Sequence, residues 1–283
     1  KKFEKMTAVD NLNLQINEGE IFGLLGPNGA GKTTTLLMLV TLKPPTSGTA
    51  MINGFDIVKQ PDKVRKSIGI VFQDPSADEI LTGYENLKLH GWLYDMPDDL
   101  REERIKEVLE LVELTDRKND RVKKYSGGMR RRLELARGLM HHPKILFLDE
   151  PTLGLDPQSR EHIWKYIENL AKEKNMTIII TTHYMDEADK LCDRLSIIDK
   201  GKIVVLDSPK QLNKDLGGDI IRLKAKALDI EALKNLPYVK NISPCDGEVC
   251  LTLENANTHL QEILKLVGKV DSVEIRISEE QKS

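Results

Sequence analysis

Eight consecutive residues, Gly26-Pro27-Asn28-Gly29-Ala30-Gly31-Lys32-Thr33, stand between an apolar run, Ile21 to Leu25, and a helix-forming run, Thr34 to Leu42. Glycine adopts backbone conformations closed to other residues, so the three here let the chain curl with successive N–H groups pointing inward at an anion. A helix starting at that point adds the positive end of its dipole. Lys32 is placed to neutralise the β- and γ-phosphates of a nucleoside triphosphate, and Thr33 to offer its hydroxyl to Mg²⁺. In a strand-loop-helix context the full pattern predicts a phosphate-binding loop.

Other polar residues sit where such a loop would need them. Tyr125-Ser126-Gly127-Gly128-Met129-Arg130 precedes a helix predicted over Arg131 to Met140. Ser126 suits an N-cap, and the glycines behind it leave N–H groups open for a second anion, although an ordinary capped helix would look the same. The apolar run Lys144 to Leu148 delivers Asp149-Glu150, two adjacent carboxylates that are costly unless a cation or a task holds them. Ile68 to Phe72 leads to Gln73, and Thr177 to Thr182 leads to His183. In open parallel α/β sheets ligands sit beyond the carboxyl ends of the strands. Four such ends carry Gly26, Gln73, Asp149-Glu150 and His183, which predicts that they converge on the bound phosphates.

The elements that must position these groups can be read from periodicity. Val9 to Ile16 alternates like a half-buried strand, and Thr49 to Asn53 reads as a short strand after a Ser47-Gly48 turn. From about Thr82 to Met140 the period is helical, with Val108, Leu111, Val112 and Leu114 among charged neighbours, so a helical subdomain over about 76–142 is expected to interrupt the sheet domain. Leu155-Asp156-Pro157 forms a turn before a helix over Gln158 to Lys172, and Ile203 to Leu206 is a further apolar run. Leu216-Gly217-Gly218 reads as a linker. Beyond it, strand (Ile220–Lys224), helix (Ile230–Leu236), strand (Val239–Ser243), strand (Glu248–Leu253), helix (Thr258–Val267) and strand (Val270–Ile277) form a βαββαβ order, that of a ferredoxin-like accessory domain. The expected domains are 1–215 and 216–283.

At 283 residues the chain has length for one large or two modest domains. No apolar run approaches the roughly 20 residues of a spanning helix, so a membrane role is expected to come through a partner. The 42 basic and 45 acidic side chains nearly balance, which gives no polyanion-coating surface and no expectation of nucleic acid. Cys192, Cys245 and Cys250 are too few for a disulfide framework or zinc site, in keeping with a reducing cytoplasm. Cys245 and Cys250 flank a turn signal, Asp246-Gly247, but read as core or strand filler. The chain begins without Met almost at its first motif, so residues upstream are expected.

The phosphate loop, Gln73, Ser126-Gly127-Gly128, Ile145 to Glu150, Asp156 and His183 follow one another in an order and spacing similar to an ATP-binding cassette (ABC) ATPase, over residues 1 to about 215. More narrowly, Ser126 to Leu133 and Thr181-Thr182-His183-Tyr184-Met185-Asp186-Glu187-Ala188-Asp189 resemble the daunorubicin-resistance type of export ATPase, whose subunits serve a separate ABC-2 type membrane permease. The resemblance implies an α/β fold, a P-loop NTPase core with an inserted helical subdomain. It implies that Asn28, Gly29, Ala30, Gly31, Lys32, Thr33 and Thr34 hold ATP, and that Thr33, Gln73 and Asp149 hold Mg²⁺. Glu150 would orient or deprotonate the attacking water, and Gln73 and His183 would sense the γ-phosphate. Phe3 would stack on adenine, where Tyr is more usual, with Val9 beside it. Ser126, Gly127, Gly128 and Met129 would cap ATP on a second subunit, with Asp156 coupling the two sites. An ATP-dependent homodimer, peripheral on the cytoplasmic face of the membrane, is implied, exporting a drug, lipid or other amphiphile. The departures are Tyr125 before the serine and Met129-Arg130 after the glycines, where Leu and Gln are commonest. A non-transport ATPase is the alternative, but tandem cassettes, a coiled-coil insertion and zinc cysteines are not present in the sequence. A regulatory ATP-binding module with little turnover fits poorly with intact Glu150 and His183.

Overall fold

The structure is a computed structural model, and it describes residues 1–4, 6–215, 219–224, 230–245, 248–253, 256–267, 270 and 272–276. The chain divides into two units, Lys1–Ser208 and Pro209–Ser283. The expected division at 215/216 therefore falls earlier, because a helix that the sequence reading missed, Pro209–Asp215, belongs with the second unit.

The first unit is built on a six-stranded sheet of β1 (Ile21–Leu25), β2 (Ile68–Val71), β3 (Ile145–Asp149), β4 (Thr177–Thr182), β5 (Arg194–Asp199) and β6 (Lys202–Asp207), in the order β6-β5-β1-β4-β3-β2. All neighbours are parallel except the edge pair β5–β6. β1 and β4 are buried at every residue, which is why β1 reads as an unbroken apolar run and β4 as three isoleucines between threonines, neither of them alternating. Around β1, Phe22, Leu24, Leu36, Phe147, Ile179 and Ile198 form one core. Because β1, β2, β3 and β4 run the same way, their carboxyl ends share one edge.

Helices α1 (Lys32–Leu39), α2 (Pro61–Ser67), α6 (Pro157–Lys174) and α7 (Met185–Leu191) accompany the sheet. Between β2 and β3 the chain makes α3 (Gly83–Leu93), α4 (Asp98–Leu111) and α5 (Gly127–Leu139), the expected helical insertion. Helix α3 starts where a reciprocal cap satisfies two backbone donors. Thr82 Oγ1 accepts from Glu85 N at 3.1 Å, and Glu85 Oε2 accepts from Thr82 N at 2.8 Å. Among the described residues, no helix is long and apolar enough to cross a membrane.

Helices α3 and α5 meet β2 through a half-buried aromatic cluster. Tyr94 stacks on His141 at 3.8 Å between ring centroids and lies 5.1 Å from His90. The His141 Nε2–Ile68 O pair is 2.8 Å apart; a carbonyl only accepts, so Nε2 carries the proton, and the Nδ1 atoms of both histidines have no partner. Burial pulls His90 down to about 3, helped by the Arg137 charge, and His141 down to about 4. Between the unfolded value of about 6.5 and those folded values only the unfolded chain takes up these protons, so stability is lost as pH falls. The slope is up to ~1.4 kcal/mol per pH unit for each group. Urea unfolding is expected to show a lower midpoint at pH 5 than at pH 7.5, and His90→Leu with His141→Leu to flatten that slope. Equal slopes in the variant would show that other groups cause it.

Three local expectations are corrected. Val9–Ile16 forms no strand: Leu12, Leu14 and Ile16 do lie against the core, but the segment has no ladder partner. Alternation records which side chains face inward, not whether a neighbouring backbone is in register. The expected strand Thr49–Asn53 shrinks to Met51–Ile52, paired with Phe55–Asp56. Cys245 and Cys250 are joined by a disulfide, with Cα atoms 6.0 Å apart, leaving Cys192 as the free and buried thiol; burial pushes that thiol up.

The reason for the disulfide lies in the second unit. Following α8 (Pro209–Asp215), it contains β7 (Asp219–Lys224), α9 (Ile230–Lys234), β8 (Val239–Cys245), β9 (Glu248–Leu253), α10 (Ala256–Val267) and β10 (Ser272–Arg276). The sheet order is β8-β9-β7-β10, antiparallel throughout. Ser243 lies opposite Cys250 and Cys245 opposite Glu248, so both cysteines occupy diagonal positions on one face of the hairpin. Ile221, Leu223, Leu233, Leu251, Leu253 and Ile263 form the unit's own core. The expected linker Leu216-Gly217-Gly218 and turn Asp246-Gly247 lie outside the described residues.

Candidate active site at the carboxyl edge of the sheet

Leaving β1, the chain turns so tightly that a Cβ on Gly26 would lie 2.2 Å from Ile198 O. Gly31, at φ +107°, caps α1 and would put a Cβ 2.4 Å from Ala8 O. Only glycine fits at either point. Helix α1 starts at Lys32, two residues before the expected Thr34. Asn28 and Gly29 are exposed at the loop's tip, whereas Ala30 is buried and its carbonyl accepts from Gly201 N at 2.8 Å. Thr33 stands exposed and Thr34 half-buried in the first turn of α1, and the neighbouring Thr35 hydroxyl donates to Gly31 O at 2.9 Å.

The Lys32 side chain is only 4% exposed, and its Nζ donates to Gly26 O at 2.7 Å and Pro27 O at 3.2 Å. It also stands 3.5 Å from Glu150 Oε1. On the other side of that carboxylate, His183 Nδ1 lies 3.2 Å from Oε2. Glu150, 8% exposed, thus stands between a cation and an imidazole. Its backbone is at φ +46°, a conformation unusual for a side-chain-bearing residue, and its N–H donates to Thr181 O at 3.0 Å. That turn swings the Glu150 side chain out of the strand pattern begun by Asp149.

Asp149, 2% exposed, accepts through Oδ1 from Thr33 Oγ1 at 3.3 Å and from Thr181 Oγ1. A carboxylate beside a hydroxyl is a hard-oxygen donor set, and with the glycine cradle next to it the residues fit a magnesium–polyphosphate group. Lys32, Thr33, Asp149, Glu150 and His183 are therefore brought together; of the four strand ends expected to converge, those at Gly26, Asp149-Glu150 and His183 do so and that at Gln73 does not.

The remaining expected residues stand apart from that cluster. Gln73 is exposed beyond β2, and its carbonyl, not its side chain, is engaged, 3.5 Å from Arg131 Nη1. Phe3 is half-buried beneath two ammonium groups, Lys1 at 5.1 Å and Lys43 at 5.2 Å from the ring centre, while Val9 is buried against Gly31. Ser126 caps α5 by accepting from Met129 N at 3.3 Å. Gly127 faces Leu155, and Gly128 faces Ser159 so closely that a Cβ would lie 2.8 Å from its Oγ. Among the described residues no hydrogen bond or ion pair joins Ser126–Met129 to the phosphate loop of the same chain. Asp156 is the N-cap of α6, accepting from Ser159 N at 2.9 Å and Ser159 Oγ at 2.6 Å, bonds that hold its carboxyl below the usual range.

Sequence reading missed three residues that shape the site. Thr181 anchors both Asp149 and the Glu150 turn. Glu187, buried on α7 just after His183, accepts from Thr152 Oγ1 at 2.7 Å and Trp164 Nε1 at 3.0 Å. Arg131, on α5, donates to backbone carbonyls of two segments at once. Thr181 and Glu187 lie in the stretch Thr181–Asp189, and Arg131 in a run of three arginines, so each was visible but without an assigned partner.

Comparison with known proteins agrees with this geometry. A family profile described as "ABC transporter" matches residues 9–153. The chain is 38% identical over 281 residues to the linearmycin resistance ATP-binding protein LnrL of Bacillus subtilis (strain 168), covering 98% of this chain and 90% of that protein. It is 43% identical to the daunorubicin/doxorubicin resistance ATP-binding protein DrrA of Streptomyces peucetius, covering 79% and 68%. Among solved structures, the dimeric post-hydrolysis state of the ATP-binding cassette MJ0796 bound to ADP and Pi aligns with a TM-score of 0.67 at 30% identity, over 74% of this chain and 94% of that one. The cbiO1 subunit from Clostridium perfringens, part of the transporter complex cbiONQ, aligns with a TM-score of 0.68 at 31% identity, over 74% and 84%.

Proposed function

The chain belongs to the ABC transporter family of ATP-hydrolysing subunits, and from that premise we propose that it powers export of a drug, lipid or other amphiphile through a separate ABC-2 type permease. The observation that carries the hydrolytic part is the Glu150 carboxylate held between Lys32 and His183 beside the phosphate loop. The export part rests on the resistance functions named for the relatives. On this reading the chain works at the cytoplasmic face of a membrane, held there by the permease.

Residues Asn28 to Thr34 wrap the phosphates of ATP, and Phe3 offers a ring face to the adenine. Thr33, Asp149 and Gln73 would hold Mg²⁺, whose chemistry when bound is to draw off charge from the phosphate oxygens. Glu150 holds the attacking water and takes its proton; His183 keeps the Glu150 carboxylate oriented and touches the γ-phosphate. Lys32 leaves the loop carbonyls for the β- and γ-phosphates. Little covalent work is asked of the protein, so the rate comes from placement and from positive potential on the transferred group.

The exposed helix N-terminus at Ser126, Gly127, Gly128 and Met129 supplies part of that potential to ATP held by a second copy, and Asp156 links the two sites. Support for pairing comes from the exposure of Ser126 and Gly127 and from the dimeric relative. The second unit, from about residue 209 or 216 to 283, is read as a ferredoxin-like accessory domain on its βαββαβ order and sheet order.

Turnover per chain is expected to rise with protein concentration, and Glu150→Gln to accumulate an ATP-dependent dimer in size-exclusion chromatography. Constant turnover per chain with no trapped dimer in the variant would sink the paired-site reading.

A further inference from the structure

Helix α5 begins at the segment assigned above to the second copy's ATP, and one side of it grips the chain that follows β2. Glu134 accepts from Ser76 N at 2.8 Å and Ala77 N at 2.6 Å, Arg137 donates to Ser76 Oγ at 2.8 Å, and Arg130 is ion-paired with Glu79. At the centre of this row is Arg131, 7% exposed. Its Nη1 donates to Phe72 O at 2.5 Å and lies 3.5 Å from Gln73 O. Its Nη2 donates to Asp149 O at 3.0 Å and its Nε to Pro151 O at 2.6 Å. One planar guanidinium therefore spans the carbonyls behind Gln73 and those on both sides of Glu150.

Burying that charge has a cost, seen in a guanidinium pulled down to about 10 by burial, with Glu134, Glu187 and Asp149 opposing the shift. An apolar side chain here would avoid the cost of burying a charge but would leave the carbonyls of Phe72, Asp149 and Pro151 without this donor. The fork geometry instead matches three carbonyls that belong to the two hydrolytic segments.

We propose that Arg131 is a positioning residue for hydrolysis: it locks the Gln73 and Asp149–Pro151 segments to α5, so that the γ-phosphate side of one site and the helix end offered to the other copy move as one body. The proposal rests on the paired-site reading above. Arg131 does not touch the reacting atoms; it fixes where Gln73 and Glu150 stand, and whether α5 follows them. Lysine keeps the charge, but its single ammonium does not span the two segments.

The test uses the full chain with Arg131→Lys and Arg131→Met, each alone and combined with Glu150→Gln, measuring unfolding, ATP affinity, turnover and ATP-trapped dimer. The expected result is cooperative unfolding, ATP affinity within about threefold of the unmodified chain, and turnover lowered ~10²-fold, the scale of a small misplacement of reacting groups. In the Glu150→Gln background both changes are expected to abolish the trapped dimer, which a purely structural side chain would not affect once the protein is folded. Turnover that is unchanged, or that falls only in step with ATP affinity or folded fraction, overturns the proposal. So do trapped dimers that persist without Arg131, and so does failure of both variants to fold. If Glu150→Gln alone traps no dimer, the paired-site reading fails, and this proposal with it.

Discussion

Replacing Glu150 with glutamine is expected to slow ATP turnover by ~10²–10⁴-fold, the usual contribution of a positioned general base, while ATP affinity changes little. Glutamine has nearly the same shape and keeps an oxygen toward Lys32 Nζ, now 3.5 Å from Oε1. What it loses is the ability to take a proton from water. The environment of Glu150 sharpens this expectation: the carboxylate is 8% exposed, flanked by Lys32 and His183, and set by a left-handed backbone turn whose N–H is tied to Thr181. The neighbouring carboxylate does not stand ready to replace it, because the Asp149 side chain is already engaged by Thr33 and Thr181. Steady-state phosphate release and equilibrium binding of a fluorescent ATP analogue would measure the two quantities separately. A variant retaining turnover within about fivefold would remove Glu150 from the base role.

The second large effect is expected on binding. Lys32→Met is expected to weaken ATP affinity by roughly 10- to 150-fold, corresponding to about 1.5–3 kcal/mol for a hydrogen bond to a charged group. Methionine fills the same unbranched channel, so the loop keeps its glycine-dictated path. The loss falls on the ammonium, which in this structure satisfies itself on Gly26 O and Pro27 O and is already within a side-chain swing of the loop's interior. ATP bound only to the folded state raises the unfolding midpoint of the native chain by mass action. In the variant that rise is expected to shrink at equal ATP concentration. An unchanged rise would mean that backbone N–H groups and the helix dipole carry the phosphates without Lys32.

The two substitutions separate what each side chain does although they lie in contact. Lys32→Met leaves Glu150 beside His183 without its cation, so some loss of turnover beyond the affinity loss is expected through Glu150 itself. Because the residues touch, their effects are not expected to add, and a double variant should lose less than the sum.

Much of the site was legible in the sequence because the relevant signal was local. The loop Gly26–Thr33, the N-cap at Ser126 and the carboxylates after an apolar run are each set by residues within a few positions of one another. Local backbone rules translate them directly into structure. Even the convergence of Gly26, Asp149-Glu150 and His183 could be expected, since parallel strands end on one edge whatever their order. The boundaries were less secure: α1 begins at Lys32, and α7, α8 and β5 were not anticipated, being short elements whose formation depends on the sheet they lie on.

By itself, then, the sequence determined the chemistry available here, a phosphate cradle, a lysine and a hydroxyl at one strand end and two carboxylates at another. Only the tertiary structure decided how those groups are held. It denied Val9–Ile16 a ladder, set Cys245 and Cys250 on one face of a hairpin, tied Asp149 to Thr181, and ran Arg131 into the carbonyls of Phe72, Asp149 and Pro151. For the ladder, the hairpin register and the arginine the physical reason is the same. Ladder partners and carbonyl acceptors are backbone groups that every residue carries, so nothing in a residue's identity marks which distant segment will present them; packing of the sheet against its helices makes that choice.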